Sequence, residues 1–200
     1  QVYSGRMICG KHLSDSVQKK VSKAVRKQLV FPKDSHLTIL VAISGGKDSA
    51  VLLERMVSIL GKRRDVTIIG GCVDEGIDGY RLPSLECARQ LCAQLGVGFE
   101  TVSYPELGFK EMDEVVSKMD GLNDSKAPCS YCGVFRRQGI NHLAKRINAD
   151  VIALGHNLDD MAQTVLMNMQ NGDLERTLRL APHTNTPIAD MAPRIVPLRW

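Results

Sequence analysis

One stretch constrains the fold of this sequence more than any other. An apolar run over residues 37–43 is followed at once by the hexapeptide SGGKDS at 44–49, and apolar residues then recur at helical spacing from Val51 to Leu60. A continuous run rich in β-branched residues predicts a buried strand. The two glycines permit a tight turn, and Asp48 or Ser49 is suited to cap the following helix. The pattern predicts a strand, a glycine turn and a helix in direct succession.

Such a turn is suited to bind a phosphate chain, because backbone N–H groups converge at the helix N-terminus and the helix dipole favours negative charge. Two common phosphate loops are excluded. A Walker A loop needs glycine and Ser or Thr where this chain has Val41 and Asp48, and a dinucleotide fingerprint needs a third glycine where it has Ser49. A turn that only joins strand to helix is the alternative.

The rest of the chain alternates between the same two kinds of element. With 44% hydrophobic and 24% charged residues, the composition is that of one ordinary globular domain. Short loops between alternating strands and helices predict an α/β fold with a doubly wound parallel sheet. We predict strands at 37–43, 66–73, 97–104 and 150–154, and helices at 14–29, 80–95, 108–120, 133–147 and 161–169, besides the helix that follows Asp48 and Ser49 and stops at Gly61.

Charge and hydropathy limit the possible partners. The net charge of +4 is mild, but the helix predicted at 14–29, capped by Ser14 or Asp15, concentrates positive charge. This helix has either a solvated face or a surface that contacts nucleic-acid phosphates. The sequence shows no membrane-spanning run and no secretory signal, so we expect a soluble cytoplasmic protein with no membrane partner. The basic residues of the helix are Lys19, Lys20, Lys23, Arg26 and Lys27.

The six cysteines fall into three groups. Cys72, Cys87 and Cys92 lie on apolar faces of a predicted strand and helix, so we expect buried, inert thiols. Cys9 and His12 have C-x-x-H spacing, which is half of a zinc site or an incidental pair.

Cys129 and Cys132 form a C-x-x-C pair within PCSYCGVFRRQG at 128–139. In an intracellular protein this spacing indicates a metal, a redox dithiol or a cluster. A structural zinc would need two more ligands, which Cys9 and His12 could supply, whereas an iron–sulfur cluster would need a third thiolate. Arg136 and Arg137 follow one turn later and would favour the thiolate forms.

Two further loops follow predicted strands. GHNLDD at 155–160 brings Asp159 and Asp160 to a helix start, where carboxylates can hold Mg²⁺ or act as a base, or can cap the helix together with Asn157. The loop at 74–79 is expected to help bind a nucleotide around Ile77, or to be a plain acidic turn.

The SGGKDS loop after its strand resembles the PP-loop of the N-type ATP pyrophosphatases. Together with PCSYCGVFRRQG and GHNLDD, in this order, it resembles the tRNA 2-thiolation enzymes of the TtuA/NcsA type, which include the catalytic subunit of the cytosolic thiouridylase. The resemblance covers nearly the whole chain. It implies the PP-loop ATP pyrophosphatase fold, with residues 1–13 as a remnant of an N-terminal zinc finger, 14–35 as a basic linker helix and 36–200 as a catalytic domain truncated at its C-terminal part.

The resemblance also implies roles for individual residues. Cys129 and Cys132 match two of the three cysteines that hold a [4Fe–4S] cluster, Asp160 matches an essential acidic residue, and Arg136 falls where the family places a basic catalytic residue. Cys9 and His12 match two of four zinc ligands. The implied ATP-binding residues are Ala42, Ser44, Gly45, Gly46, Lys47, Asp48, Ser49, Ile77, Gly155 and Asp160.

The implied reaction is the ATP-dependent exchange of the C2 oxygen of a tRNA uridine for sulfur, with Mg²⁺ on the nucleotide. The sulfur would come from a ubiquitin-like carrier, a persulfide or sulfide, and the protein would be a homodimer or pair with a second thiolation subunit. The alternatives are a tRNA 2-thiocytidine synthase, another adenylating PP-loop enzyme of tRNA modification, or a non-catalytic tRNA-binding partner.

Overall fold

Strands and helices alternate along the chain, as the sequence predicts. The computed structural model describes residues 5, 7–31, 35–122, 128–178 and 191–200. The elements are α1 (Gly10–Gln28), β1 (Leu37–Ala42), α2 (Lys47–Leu60), β2 (Val66–Asp74), α3 (Arg81–Leu95), β3 (Gly98–Ser103), a 3₁₀ turn (Pro105–Leu107), α4 (Met112–Leu122), α5 (Pro128–Arg146), β4 (Val151–Ala153), α6 (Leu158–Gln170), α7 (Leu174–Leu178) and β5 (Arg194–Ile195).

The strands form one five-stranded sheet in the order β3-β2-β1-β4-β5. Every neighbouring pair is parallel, and Leu40 in the central strand β1 lies opposite Ile69 of β2 and Ile152 of β4. The chain moves outward from β1 to β3 and then returns to the other side of β1 with β4. Ligands of open parallel sheets bind at such a reversal, beyond the carboxyl ends of the strands.

The sheet is covered on both faces, so the predicted doubly wound α/β architecture is confirmed. Because side chains alternate along a strand, Ile39 and Val41 of β1 enter one apolar cluster, with residues of α1, α2 and α3. Leu40 enters a second cluster with residues of β3, α4 and α5 on the other face, where Leu143 of α5 is fully buried. None of the helices in the described part of the chain combines the length and apolar character that a bilayer crossing requires.

One strand was not predicted. β5 has two residues, too few to show any periodicity in a proline-containing segment, yet it pairs with β4 and Ile195 is fully buried. The pairing is fixed by hydrogen bonds from Ile152 N to Pro193 O at 2.9 Å and from Leu154 N to Ile195 O at 2.9 Å.

α1 and α5 begin about four and five residues earlier than the sequence predicts. The N-cap of α1 is Cys9, not Ser14 or Asp15, because the exposed residues 10–13 extend the helix before its apolar stripe begins. α5 begins at Pro128, not at residue 133. Proline is tolerated in the first turn of a helix, where its missing N–H needs no partner. The C-x-x-C pair therefore lies in the first turns of α5 and not in a loop.

Candidate nucleotide and thiol site

The loop after β1 leads directly into α2 without a side-chain cap. The N-cap is Gly46, not Asp48 or Ser49, and the first helical hydrogen bond runs from Ala50 N to Gly46 O at 3.1 Å. The amide N–H groups of residues 47–49 therefore precede the first helical hydrogen bond. They lie at the positive end of the helix dipole. Lys47 is exposed beside this turn, with its Nζ 3.4 Å from Asp48 Oδ2.

Two serine hydroxyls fix the shape of this loop. Ser49 Oγ accepts a hydrogen bond from Ser44 N at 3.2 Å and donates one to Gly46 O at 2.9 Å. Ser44 Oγ accepts from Gly46 N at 3.3 Å. The hydroxyl groups thus hold the turn in one conformation, and preorganised donors of this kind favour phosphate binding.

Two glycines let neighbouring segments pack against this loop. Gly45 has φ +84°, and a Cβ there would lie 2.5 Å from the Ser84 carbonyl oxygen in α3. Gly155 follows β4, and a Cβ there would lie 3.3 Å from Ser49 Cα and 3.4 Å from Ser49 N. The loops that follow β1 and β4 are therefore in contact, as their positions beside the strand-order reversal predict.

The loop after β4 ends in a complete capping box. Asp160 N donates to Asn157 Oδ1 at 3.0 Å, and Asn157 N donates to Asp160 Oδ2 at 2.9 Å. For GHNLDD, the sequence left open whether the carboxylates cap the helix together with Asn157. The structure contains this cap. The cap occupies one oxygen of Asp160, whereas Asp159 is exposed.

The loop after β2 is pinned at several points. Asp74 Oδ1 accepts from Gly76 N at 3.1 Å, and the carbonyl of Ile77 accepts from Arg81 N at 3.1 Å. Ile77 is partly buried against the cluster around α5, and the Ala42 side chain at the end of β1 contacts the same cluster.

Glu75, in this loop, is a buried carboxylate that sequence reasoning treated as a turn former. Its side chain is 4% exposed, and its Oε2 lies 3.0 Å from Nε of Arg81, whose side chain is 5% exposed. Arg81 Nη1 donates to the Ser44 carbonyl at 3.3 Å, and Nη2 donates to Val73 O and to Cys72 Sγ. The Glu75–Arg81 ion pair thus joins the end of β2 to the phosphate-type loop.

Arg136 connects the same carboxylate to the C-x-x-C pair. Its Nε donates to Glu75 Oε1 at 2.9 Å, and its Nη2 lies 3.4 Å from Cys132 Sγ. Burial acts to lower the pKa of Arg136, but the charges of Glu75 and Cys132 outweigh it, so the pKa is raised and the guanidinium stays charged.

The hydroxyl group of Tyr104 also contacts Cys132. The hydroxyl donates to the Cys132 carbonyl at 3.1 Å and lies 3.5 Å from Cys132 Sγ. Burial, and then the hydrogen bond to Cys132, raise the pKa of Tyr104, so the phenol is neutral at physiological pH. Its ring packs edge-on against Phe135 of α5, with centroids 5.4 Å apart.

The thiols of Cys129 and Cys132 lie three residues apart on α5, one exposed and one half-buried. Two thiolates at this spacing, with a cation beside one, fit part of the ligand set of an iron–sulfur cluster, which needs at least three. The described residues contain no group of three or more His, Cys, Asp or Glu side chains placed to hold a metal. Within the described residues, the C-x-x-C pair thus offers two of the three thiolates that such a cluster would need.

Cys9 and His12 lie together at the start of α1. Cys9 Sγ is 3.1 Å from His12 Nδ1, and both residues are exposed. The alternative of one zinc site shared with Cys129 and Cys132 is wrong, since α1 packs on one face of the sheet and α5 on the other. The pair is at most half of a separate site.

The sequence profile of the PP-loop domain matches residues 13–191. The chain is 36% identical to the tRNA 2-thiolation protein NcsA of Haloferax volcanii over 196 residues, which is 96% of this chain and 59% of that protein. It is 36% identical over 200 residues to cytoplasmic tRNA 2-thiolation protein 1 of Danio rerio, covering 98% of this chain and 56% of that protein.

The fold is similar to that of the U34-tRNA thiolase NcsA from Methanococcus maripaludis, solved with its [4Fe-4S] cluster. The TM-score is 0.83 at 30% identity, and the match covers 100% of this chain and 63% of that one. The chain thus spans less than two thirds of the length of each of these relatives.

Proposed function

The chain belongs to the PP-loop domain family, and on this basis we propose that it catalyses ATP-dependent tRNA 2-thiolation, adenylating the C2 oxygen of a uridine and replacing it with sulfur. The observation that carries this proposal is the chain of contacts from the Ser44 carbonyl through Arg81, Glu75 and Arg136 to the Cys132 thiol. It brings a phosphate-type loop and a C-x-x-C pair together at one edge of the sheet.

In this proposal the loop at 44–49 binds the phosphates of ATP. The N-terminal amides of α2 and its dipole stabilise the negative charge that pyrophosphate carries as it leaves. Lys47 and Asp48 lie at the same turn, and a carboxylate oxygen of Asp48 or Asp159 is a suitable ligand for Mg²⁺ on the phosphates. Attack by the uridine C2 oxygen on the α-phosphorus breaks the bond to the β-phosphate and leaves the oxygen esterified to AMP.

The adenosine part is assigned to three residues at the ends of neighbouring strands. Ala42 ends β1, Ile77 lies in the loop after β2, and Gly155 follows β4. Gly155 suits this role because it has no side chain between the nucleotide loop and the β4 edge. Asp160 is assigned to the same site, where its carboxylate also holds the first turn of α6.

For the sulfur step, Cys129 and Cys132 would be two of the three cysteine ligands of a [4Fe–4S] cluster, which would supply the iron chemistry that presents sulfur as hydrosulfide. Arg136 places a positive charge 3.4 Å from Cys132 Sγ and so favours the thiolate. Sulfur forms a bond to C2 as the bond from C2 to the esterified oxygen breaks, and AMP leaves. With sulfide as donor, no oxidant or reductant is consumed.

The remaining expectations form part of the same proposal. Residues 1–13 would be the remnant of a zinc finger, with Cys9 and His12 as two of its zinc ligands, and 36–200 the catalytic domain. The exposed basic side chains of α1 would contact tRNA phosphates. The protein would act in the cytoplasm, as a homodimer or with a second thiolation subunit.

The proposal is tested with anaerobic protein reconstituted with iron and sulfide, unmodified tRNA transcript, ATP, Mg²⁺ and sulfide. We expect AMP and pyrophosphate as products and 2-thiouridine in the digested tRNA, with about four irons per chain. Asp48→Ala should lower AMP formation by about 100-fold or more while tRNA binding survives. Asp65→Ala is the matched control, since Asp65 is similarly exposed but lies on a turn between α2 and β2.

Three outcomes would contradict the proposal. Formation of ADP in place of AMP would exclude adenylation. A product of 2-thiocytidine would support the 2-thiocytidine synthases instead. Protein that binds tRNA but no ATP would indicate a non-catalytic partner.

A further inference from the structure

We infer that Glu75 is a positioning residue, whose buried carboxylate fixes the phosphate loop and the Cys132 end of α5 relative to each other. The inference rests on the proposed function and adds to it a residue to which no role has been assigned. Glu75 lies at the end of β2, between the two centres, and its two oxygens contact arginines that reach opposite sides of the site.

On the side of the nucleotide loop, Arg81 is buried and held by several contacts. The residue is 4% exposed, and its guanidinium donates to the Ser44 carbonyl, the Val73 carbonyl and Cys72 Sγ in addition to its ion pair with Glu75. A planar guanidinium with several donors suits this multiple contact better than a lysine ammonium. Without the Glu75 carboxylate, the buried guanidinium of Arg81 would lose its counter-charge and would shift. The hydrogen bond from Arg81 to the Ser44 carbonyl would then be lost.

On the side of the thiols, Arg136 has a side chain that is 54% exposed. A long exposed arginine samples many rotamers unless a partner selects one, and ordering it costs conformational entropy. The hydrogen bond to Glu75 Oε1 selects the rotamer in which Nη2 reaches Cys132 Sγ. Without that bond, the position of the cation beside the thiol is no longer defined.

The backbone around Glu75 makes it a rigid anchor for both contacts. The Glu75 carbonyl accepts from Met112 N at 2.9 Å, and Asp74 O accepts from Tyr104 N at 3.0 Å, which ties the end of β2 to α4 and to the segment after β3. Tyr104 is the residue whose hydroxyl contacts Cys132. The end of β2 is thus connected to Cys132 a second time, through Asp74 and Tyr104.

The first test is hydrogen exchange measured by mass spectrometry on Glu75→Gln, which keeps the side-chain shape and removes the charge. We expect the amides at 44–49 and at 132–136 both to exchange faster, by about threefold or more, because one carboxylate restrains both segments. The matched control is Glu100→Gln, since Glu100 pairs with Arg146 away from both segments and should alter neither. A change in only one of the two segments, or in neither, would overturn the inference.

If Glu75→Gln does not fold, Glu75→Gln/Arg81→Gln replaces it. This variant removes both buried charges, leaves two neutral amides of similar length and carries the same expectation for the two segments.

The second test separates positioning from mere stability. Wild-type protein should form about one AMP for each 2-thiouridine. Glu75→Gln should form AMP in about tenfold excess over 2-thiouridine. The reason is that sulfur transfer depends on the position of the thiols relative to the phosphate loop, and so is slowed more than adenylation. A variant that is only less stable would lose both products in proportion, and an unchanged ratio overturns the inference. If wild-type protein forms no 2-thiouridine, the proposed function fails, and the exchange measurement alone then decides whether Glu75 links the two segments.

Discussion

Burial decides residue by residue which cysteine thiols of α3 and β2 can react. Cys72 and Cys92 are 0% and 1% exposed, whereas Cys87 is exposed, so the expectation that all three are buried is wrong for Cys87. The inward face of α3 is formed by Arg81, Ala88 and Cys92. A buried arginine at the start of that face could not be expected from hydropathy, and Cys87 lies outside that face.

These thiols should differ in alkylation. Burial raises the pKa of Cys92 to about 11, so its thiolate fraction at pH 8 is about 100-fold below that of an ordinary thiol. Iodoacetamide at pH 8, followed by peptide mass spectrometry, should modify Cys87 within minutes and leave Cys92 intact. Because the thiol ionises more easily in the unfolded chain, Cys92 should contribute stability below pH 9 that is lost as the pH rises towards 11. Modification of both at equal rates in folded protein would contradict the burial of Cys92.

At the scale of elements, α6 begins with one side chain that caps the helix and is also proposed to take part in the reaction. Asp160 closes the capping box with Asn157, and the family resemblance assigns the same residue to ATP. The two roles make different demands on the carboxylate. The cap needs only an oxygen that accepts from Asn157 N, whereas a base or a Mg²⁺ ligand needs the negative charge.

Asp160→Asn should therefore separate the two roles. The amide oxygen still accepts the capping hydrogen bond, so we expect the free energy of unfolding in urea to change by less than about 0.5 kcal/mol, against about 1 kcal/mol for Asp160→Ala. AMP formation should fall by about 100-fold in Asp160→Asn if the charge acts in the reaction. Asp173→Asn is the control, since Asp173 Oδ1 accepts from Arg176 N at the start of α7. Unchanged AMP formation in Asp160→Asn would reduce Asp160 to a helix cap.

The elements differ in how far the sequence could predict them. β1, with its continuous apolar run, and helices with a clear apolar stripe were predicted within a few residues, because local periodicity reports burial. β5 was not, since a two-residue strand is stabilised by its partner β4 and not by its own pattern. The phosphate loop and the C-x-x-C pair have local signatures. The Glu75–Arg81 pair has none, because it joins residues whose contact depends on the packing of β2 against α3.

At the scale of the whole molecule, the first helix and the last described segment hold each other. Gln28 is 7% exposed, and its side-chain amide donates to Val196 O at 3.2 Å while its oxygen accepts from Val196 N at 2.7 Å. Lys20 of α1 lies over the ring of Trp200, 4.4 Å from its centroid. Through these contacts α1 is fixed beside the β5 edge of the sheet.

Gln28→Leu should be one of the more costly substitutions outside the site. It keeps the size of the side chain but leaves the Val196 N–H without its acceptor, while the Val196 carbonyl keeps the hydrogen bond from Arg199 N at 3.5 Å. A buried polar group left unpaired costs about 1–3 kcal/mol. We expect a loss of about 1–3 kcal/mol in the free energy of unfolding, measured by urea denaturation. Gln18→Leu is the control in the same helix, since Gln18 is half-buried and its side chain contacts the Ser58 hydroxyl at 3.4 Å and Arg55 Nη1 at 2.8 Å. Arg55 keeps its ion pair with Glu54 in this variant, so we expect a loss below about 1 kcal/mol. Equal losses in the two variants would show that the contact with Val196 adds nothing.

The clamp between Gln28 and Val196 also sets an order of events during synthesis. The two residues are separated by 168 positions in sequence, and closing so long a loop carries an entropic cost that must precede the contact. On the ribosome, α1 emerges early but cannot dock fully until the segment around residue 196 has left the exit tunnel. Until then the apolar side of α1, with Val21 and Val25, is without its complete binding surface. During this interval the nascent chain is open to aggregation or to chaperone binding at α1.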